Sequence, residues 1–333
     1  MIENGRQGGT FLVHDADWQT PAITEAHAYC RAFESMPAAA GVAYLAFPWA
    51  TLIDQIQQGR DSSRLQQALD ALAVVARGHD RVVTVCQHVF MGLCGPLFRQ
   101  AGVTDIFWAH ARKGPVGEGF DGITIAPFPL FPVNSPGPEA RCVPKRHLFS
   151  FVGARPNPFY MDDARPFIFD ELSDVPDGLV ISRDEWHFHQ AVYEHQIRQT
   201  VAAIEDPLRN AAAAEYREVM AESIFVLCPS GTGPNSLRLW EAIDCGAIPV
   251  IISPLYEPPG DLALWRHGTL SADGTRDALR RLPGILQRLA ADEERLARMR
   301  GLIGELRARY GSDTFVHDVV ALAQSLAARR NAA

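Results

Sequence analysis

The chain has 333 residues, 47% of them hydrophobic and 21% charged, with a formal net charge of −8. That length exceeds one ordinary domain, so two domains of similar size are expected, each able to bury a core. The acidic balance argues against nucleic acid as a partner, and no run of 18 apolar residues suggests a membrane span.

Taken in chain order, short β-rich runs alternate with helical patterns. In the first half the predicted strands are Thr10–His14, Val42–Phe47, Arg81–Cys86, Asp105–Ala109 and Gly122–Pro127. In the second they are Leu148–Gly153, Gly178–Ser182, Ile224–Cys228, Ile248–Ser253 and Gly268–Ser271. Helical periodicity marks Ser62–Arg77, Met91–Ala101, Gln190–Ile204, Pro207–Glu222, Asn235–Cys245, Arg276–Ala291 and Asp292–Tyr310. Strand alternating with helix predicts parallel sheets. Prolines crowd the stretch from Pro127 to Lys145, which can continue neither a helix nor a central strand. The expected organisation is therefore an N-terminal domain over 1–130, a linker over 131–145, a second domain over 146–312, and a C-terminal helix over 313–333. One face of that helix carries Phe315, Val316, Val319, Leu322 and Leu326 and must pack on one of the two domains.

The six cysteines are scattered without C-x-x-C pairs and read as reduced and mostly buried. Met1–Gly9 is polar and Gly-rich, unlike a signal peptide. These features predict a cytoplasmic protein. Peripheral attachment to the inner membrane face through an interfacial helix stays open, and so does the oligomeric state.

The stretch from Ser223 to Ser253 reads as strand, Gly-rich turn, helix, tight turn, strand. Within the turn, Ser230, Gly231 and Gly233 are expected to bring backbone close to a ligand, the glycines through positive φ. A helix beginning at Asn235 would aim unpaired N–H groups and a partial positive charge at a phosphate or diphosphate. Asn235, Arg238 and Glu241 recur at i, i+3 and i+6 and share one stripe. Arg238 suits a phosphate, and the Glu241 carboxylate suits a ribose diol. The bland alternative is a surface helix with an exposed intrahelical pair.

This stretch resembles the signature of the exostosin family of glycosyltransferases. Ser223, Phe225, Leu227, Cys228, Pro229 and Gly231 match its S-x-F-x-L-C-P-x-G run. Ser236, Arg238, Glu241, Ala242 and Ile243 match S-x-R-x-x-E-A-I, and Gly246 with Ile248–Ile252 matches G-x-I-P-V-I-I. Upstream, Arg146–Arg155 is similar to the family's R-x-x-L-x-x-F-x-G strand, with Arg165 shortly after. The resemblance spans about residues 145 to 266. It implies an α/β fold of the GT-B type, two Rossmann-like domains with parallel sheets facing a central cleft. It further implies sugar transfer with inversion from a nucleotide-sugar donor, most commonly a UDP-sugar, to a hydroxyl of a glycan or glycolipid acceptor. Carried over, Gly153, Arg155 and Arg165 lie near the diphosphate, Ser236 and Arg238 bind phosphate, and Glu241 binds ribose. Ala247, Ser253 and Ala263-Leu264-Trp265 depart from the common pattern and leave the sugar open. Without an animal-type anchor, a bacterial-type enzyme of surface polysaccharide synthesis is expected.

Inverting transfer needs a base for the acceptor hydroxyl. Candidates at predicted strand ends of the first half are His88, His110 and Asp17. Asp15-Ala-Asp17 is formally a D-x-D, a pattern that can hold a divalent cation. Because a helix terminus and arginines already serve the diphosphate here, no metal and no cofactor are expected. A dehydrogenase is disfavoured, since no G-x-G-x-x-G follows the first strand of either half. The competing reading is a catalytically inactive nucleotide-sugar or glycan-binding subunit of a polysaccharide assembly complex.

Overall fold

The computed structural model describes residues 1–19, 24–135, 137–154, 160–183 and 207–331. These form two compact units. The first holds residues 1–131 together with the C-terminal stretch from Asp313, and the second holds described residues between Pro132 and Ser312. The helix predicted over Gln190–Ile204 lies outside the described residues.

In the first unit, strands β1 (Ile2–Asn4), β2 (Thr10–Val13), β3 (Val42–Ala46), β4 (Arg81–Cys86), β5 (Asp105–Trp108) and β6 (Thr124–Pro127) pair in sequence order. All neighbours are parallel except β1 with β2. The edge strand β1 was not expected. Its three residues are too few for a periodic signal, and pairing with β2 defines it. Both faces of this sheet are covered, as parallel sheets require. Strand alternation sends Ala43 and Leu45 into one core with Trp49, Leu52, Leu65 and Leu69. It sends Val42, Tyr44 and Ala46 into the other with Ala28 and Ala32. Helix α1 (Thr24–Ser35) lines this second core, α2 (Trp49–Gln57) and α3 (Ser63–Ala76) line the first, and α4 (Gly95–Gln100) follows β4. Phe315, Val316, Val319 and Ala323 join the second core, so the C-terminal helix (His317–Asn331) packs on the first unit.

The second unit contains β7 (His147–Ala154), β8 (Gly178–Arg183), β9 (Ser223–Pro229), β10 (Ile248–Ile252) and β11 (Leu270–Ser271). They form one parallel sheet in the order β11-β10-β9-β7-β8. Helix α5 (Ala164–Leu172) follows β7, α6 (Pro207–Ala221) precedes β9, and α7 (Leu237–Cys245) joins β9 to β10. The chain continues through α8 (Leu262–Gly268), α9 (Arg276–Ala291) and α10 (Glu293–Tyr310). No helix among the described residues is long and apolar enough to cross a membrane.

Helix α7 ends at Gly246, whose φ is +77°. Its N–H donates to the Ile243 carbonyl at 3.1 Å, and the Ala247 N–H donates to the Ala242 carbonyl at 3.0 Å, the paired closure of a Schellman motif. A Cβ here would find its nearest atoms at 3.8 Å, so space is ample and only the backbone objects. Gly246→Ala is therefore expected to cost about 1–2 kcal/mol, read as a lower urea midpoint at unchanged slope.

Candidate functional site

Strands β7 and β9 are adjacent and parallel, but the chain leaves their carboxyl ends in opposite directions, toward β8 and toward β10. That makes their boundary the topological switch point, where open α/β sheets receive ligands. Two helices, α5 and α7, begin beside it, and each delivers one arginine.

Arg238 comes from the first turn of α7 and is only 8% exposed. Its Nη2 donates to the Val152 carbonyl of β7 at 2.7 Å, and its guanidinium lies 4.5 Å from the Phe151 ring centroid. Its Nε and Nη1 are buried and meet no acceptor among the described residues. Arg165, from the start of α5, donates through Nε to the Ser230 carbonyl at 3.3 Å and lies 4.0 Å from the Tyr160 ring centroid. Burial, then repulsion from Arg238, pulls the Arg165 pKa down to about 10, which still leaves Arg165 cationic at neutral pH. Two buried like charges beside unmet donors are costly alone and become favourable opposite an anion. Gly153 makes the packing feasible, since a Cβ there would sit 2.7 Å from Phe151 Cζ and 3.2 Å from Arg238 Nη2.

Other predicted positions have different surroundings. Neither Gly231 nor Gly233 takes positive φ, correcting that expectation. Their turn is closed by the Gly231 N–H donating to the Gly233 carbonyl at 3.0 Å, and nothing lies within 4 Å of a Cβ built on Gly231. Ser230 is buried, and its hydroxyl donates to Asp162. Helix α7 starts at Leu237 with Ser236 as its extended N-cap residue, whose side chain makes no capping bond. Asn235 precedes the helix and faces inward, its Oδ1 accepting from the Ser236 N–H at 2.9 Å and from Trp240 Nε1 at 2.8 Å. Glu241 is 2% exposed. Its Oε1 accepts the Asn134 N–H at 3.0 Å and its Oε2 accepts the Tyr216 hydroxyl at 2.6 Å. Burial raises its pKa against those bonds. The exposed intrahelical pair of the bland reading is absent, because Arg238 and Glu241 are both buried. Arg155 lies outside the described residues. Phe151, Tyr160, Asp162 and Tyr216 were not anticipated, because aromatic and acidic residues of strands, loops and helices carry no periodic mark of a ligand site.

In the first unit the carboxyl ends of the parallel strands carry a second polar cluster. His88 follows β4, and its Nε2 lies 3.0 Å from Asp54 Oδ1. The Phe90 N–H donates to His88 Nδ1 at 3.1 Å, which places the ring proton on Nε2, facing Asp54. Asp54 Oδ2 also accepts from Gln19, which bonds Gln87 in turn. Glu25 accepts the Gln87 N–H at 2.9 Å and the Ala50 N–H at 3.2 Å. Burial nonetheless pushes Glu25 up to about 8. Two candidates lose standing as bases. His110 is buried with Nδ1 enclosed, and burial first and the neighbouring His88 second pull its pKa down to about 3. Asp17 sits at φ +66° and is held by Arg64 at 2.6 Å, and that bond lowers its pKa. Asp54 and Glu25, which complete this cluster, lie in amphipathic helices where nothing in the spacing set them apart.

Two parallel α/β units, the second with a cation-lined helix N-terminus at its switch point, define a protein of the GT-B class. A family model of the exostosin GT47 domain matches residues 102–289, more than half of the chain. The chain belongs to the exostosin GT47 family. Two probable glucuronosyltransferases of Oryza sativa subsp. japonica are 41% and 38% identical to it over 81 residues, or 24% of this chain. The matched segment spans only 19% and 18% of those relatives. Among solved structures, HepE of Anabaena in complex with UDP-glucose is similar at a TM-score of 0.45 and 12% identity, covering 93% of this chain and 98% of that one. MnaA of S. aureus with UDP is similar at a TM-score of 0.42 and 11% identity, covering 84% and 86%. No cluster of three or more His, Cys, Asp or Glu side chains placed to hold a metal occurs among the described residues.

Proposed function

We propose that the protein is an inverting glycosyltransferase that moves a sugar from a UDP-sugar to a hydroxyl of a glycan or glycolipid acceptor in surface polysaccharide synthesis. The observation that carries this reading is the pair of unmet Arg238 donors beside Arg165 at the switch point. Membership in the exostosin GT47 family supports it.

In this mechanism Arg238 and Arg165 hold the diphosphate together with the N–H groups that open α7 and the turn of Ser230, Gly231 and Gly233. The Ser236 hydroxyl and the Gly153 backbone complete the phosphate side. Glu241 reaches ribose through the lone pairs that Asn134 and Tyr216 leave free. The acceptor oxygen attacks the anomeric carbon as the bond to the diphosphate oxygen breaks, and the electron pair leaves with UDP. The hydroxyl proton passes to His88 Nδ1, which exchanges the Phe90 N–H for the acceptor. Asp54 holds Nε2–H and stabilises the imidazolium that forms. Two arginines provide the charge neutralisation that a metal ion supplies elsewhere, so activity is expected to survive EDTA.

The test is a nucleotide-sugar panel read by thermal shift, followed by transfer and donor-hydrolysis assays. UDP-sugars should stabilise the protein more than other nucleotides, and His88→Ala should lower kcat by about 10²–10⁴ with donor binding intact. Donor binding without transfer or hydrolysis would instead indicate a non-catalytic binding subunit.

A further inference from the structure

The His88 and Asp54 side chains are nearly buried, at 9% and 13% exposed. A carboxylate turns easily about its last bond, so the single contact from His88 Nε2 to Asp54 Oδ1 does not fix its plane. A second contact reaches the other oxygen, from Gln19 Nε2 to Asp54 Oδ2 at 2.5 Å.

This contact continues inward through a second amide. Gln19 Oε1 accepts from Gln87 Nε2 at 3.0 Å, and Gln87 Oε1 accepts the Glu25 N–H at 3.1 Å. Both ends of the chain of bonds are chemically fixed. The Glu25 N–H, in the first turn of α1, can only donate and has no acceptor within its own helix, whereas a carboxylate only accepts. Between those ends each amide is satisfied one way round, with oxygen toward Glu25 and nitrogen toward Asp54. Turned about, Gln19 would aim its carbonyl at the Asp54 carboxylate.

Further bonds tie down the segments that carry these side chains. The Gln87 N–H donates to Glu25 Oε1 at 2.9 Å, and Trp108 Nε1 donates to the His88 carbonyl at 2.9 Å. The Thr51 hydroxyl of α2 donates to the Asp17 carbonyl at 2.6 Å, which joins the segment carrying Gln19 to the helix carrying Asp54.

We infer that Gln19 and Gln87 are positioning residues for the transfer reaction. They hold the Asp54 carboxylate in the plane that receives the His88 Nε2–H, and so leave Nδ1 as the nitrogen that takes a proton. The inference rests on the reading of His88 as the base.

The test uses the full chain with Gln19→Met, which keeps the side chain's length and removes both polar ends at a half-buried site. Gln87→Met is the second variant, and its effect must pass through Gln19. In protein carrying isotope-labelled histidine, the His88 Nε2–H proton is the magnetic-resonance signal that His88→Ala removes, and no ligand is needed to see it. Its exchange with water should quicken about tenfold in Gln19→Met, the equivalent of one lost hydrogen bond, and by less in Gln87→Met. With the UDP-sugar that raises the melting temperature most as donor and water as acceptor, kcat should fall about tenfold or more at unchanged KM. A residue that only supports the fold would lower the urea midpoint and leave neither signature. Exchange at the wild-type rate in either variant overturns the inference, and so does unchanged kcat in Gln19→Met where His88→Ala is impaired. Full turnover by His88→Ala is a separate failure, which removes the base reading and the positioning role with it even where exchange has quickened.

Discussion

Arg238→Met is expected to abolish stabilisation by UDP while leaving the unliganded protein at least as stable as wild type. The arginine is buried with one bond to the Val152 carbonyl and two donors unmet, and its charge is repelled by Arg165. Methionine keeps contact with Phe151 and removes that desolvated charge, so the fold loses little or gains. Wild type at a hundred times the dissociation constant should gain about 2.7 kcal/mol from ligand, a shift of roughly 2–6 °C, and the variant none. Transfer should fall by about 10²–10³ in kcat. A variant that melts well below wild type and still binds UDP would show Arg238 to be structural, and the proposed function would lose its support.

The second large effect concerns Glu25 and pH. Its ordinary value of 4.5 is raised to about 8 in the folded state, chiefly by burial. Between those values the native protein holds a proton that the unfolded chain has released, so stability falls as pH rises. The loss begins near pH 4.5, approaches about 1.4 kcal/mol per pH unit at most, and levels off above about 8. Glu25→Gln should remove this component. Urea unfolding of both proteins from pH 4.5 to 8.5 should therefore show wild type losing stability relative to the variant across the window. The Gln87 and Ala50 N–H bonds act in the opposite sense by favouring the carboxylate. If they outweigh burial, the difference between the two proteins will stay flat, and Glu25 is an ionised strut.

Both effects depend on partners remote in sequence, whereas much of the fold does not. The continuous apolar runs of Val42–Ala46 and of β9 define buried parallel strands from local composition alone. Gly246 marks the end of α7 because only glycine enters the left-handed region freely, and the structure has φ +77° there. The motif from Ser223 to Ile252 likewise ordered strand, turn, helix and strand. The short edge strand β1 escaped because its identity lies in the partner it pairs with.

For the candidate site the division is sharper. Sequence alone determined that Arg238 follows a glycine turn at a helix start, since that is a matter of spacing along one segment. Only the tertiary structure decided that its Nε and Nη1 stay unmet, that Glu241 is bonded by Asn134 and Tyr216, and that Asp54 faces His88. It also decided that the C-terminal helix packs on the first unit. Burial and pairing arise between residues such as Glu25 and Gln87, 62 positions apart. Desolvation, which sets the charge of these groups, depends on everything packed around them and leaves no trace in local periodicity.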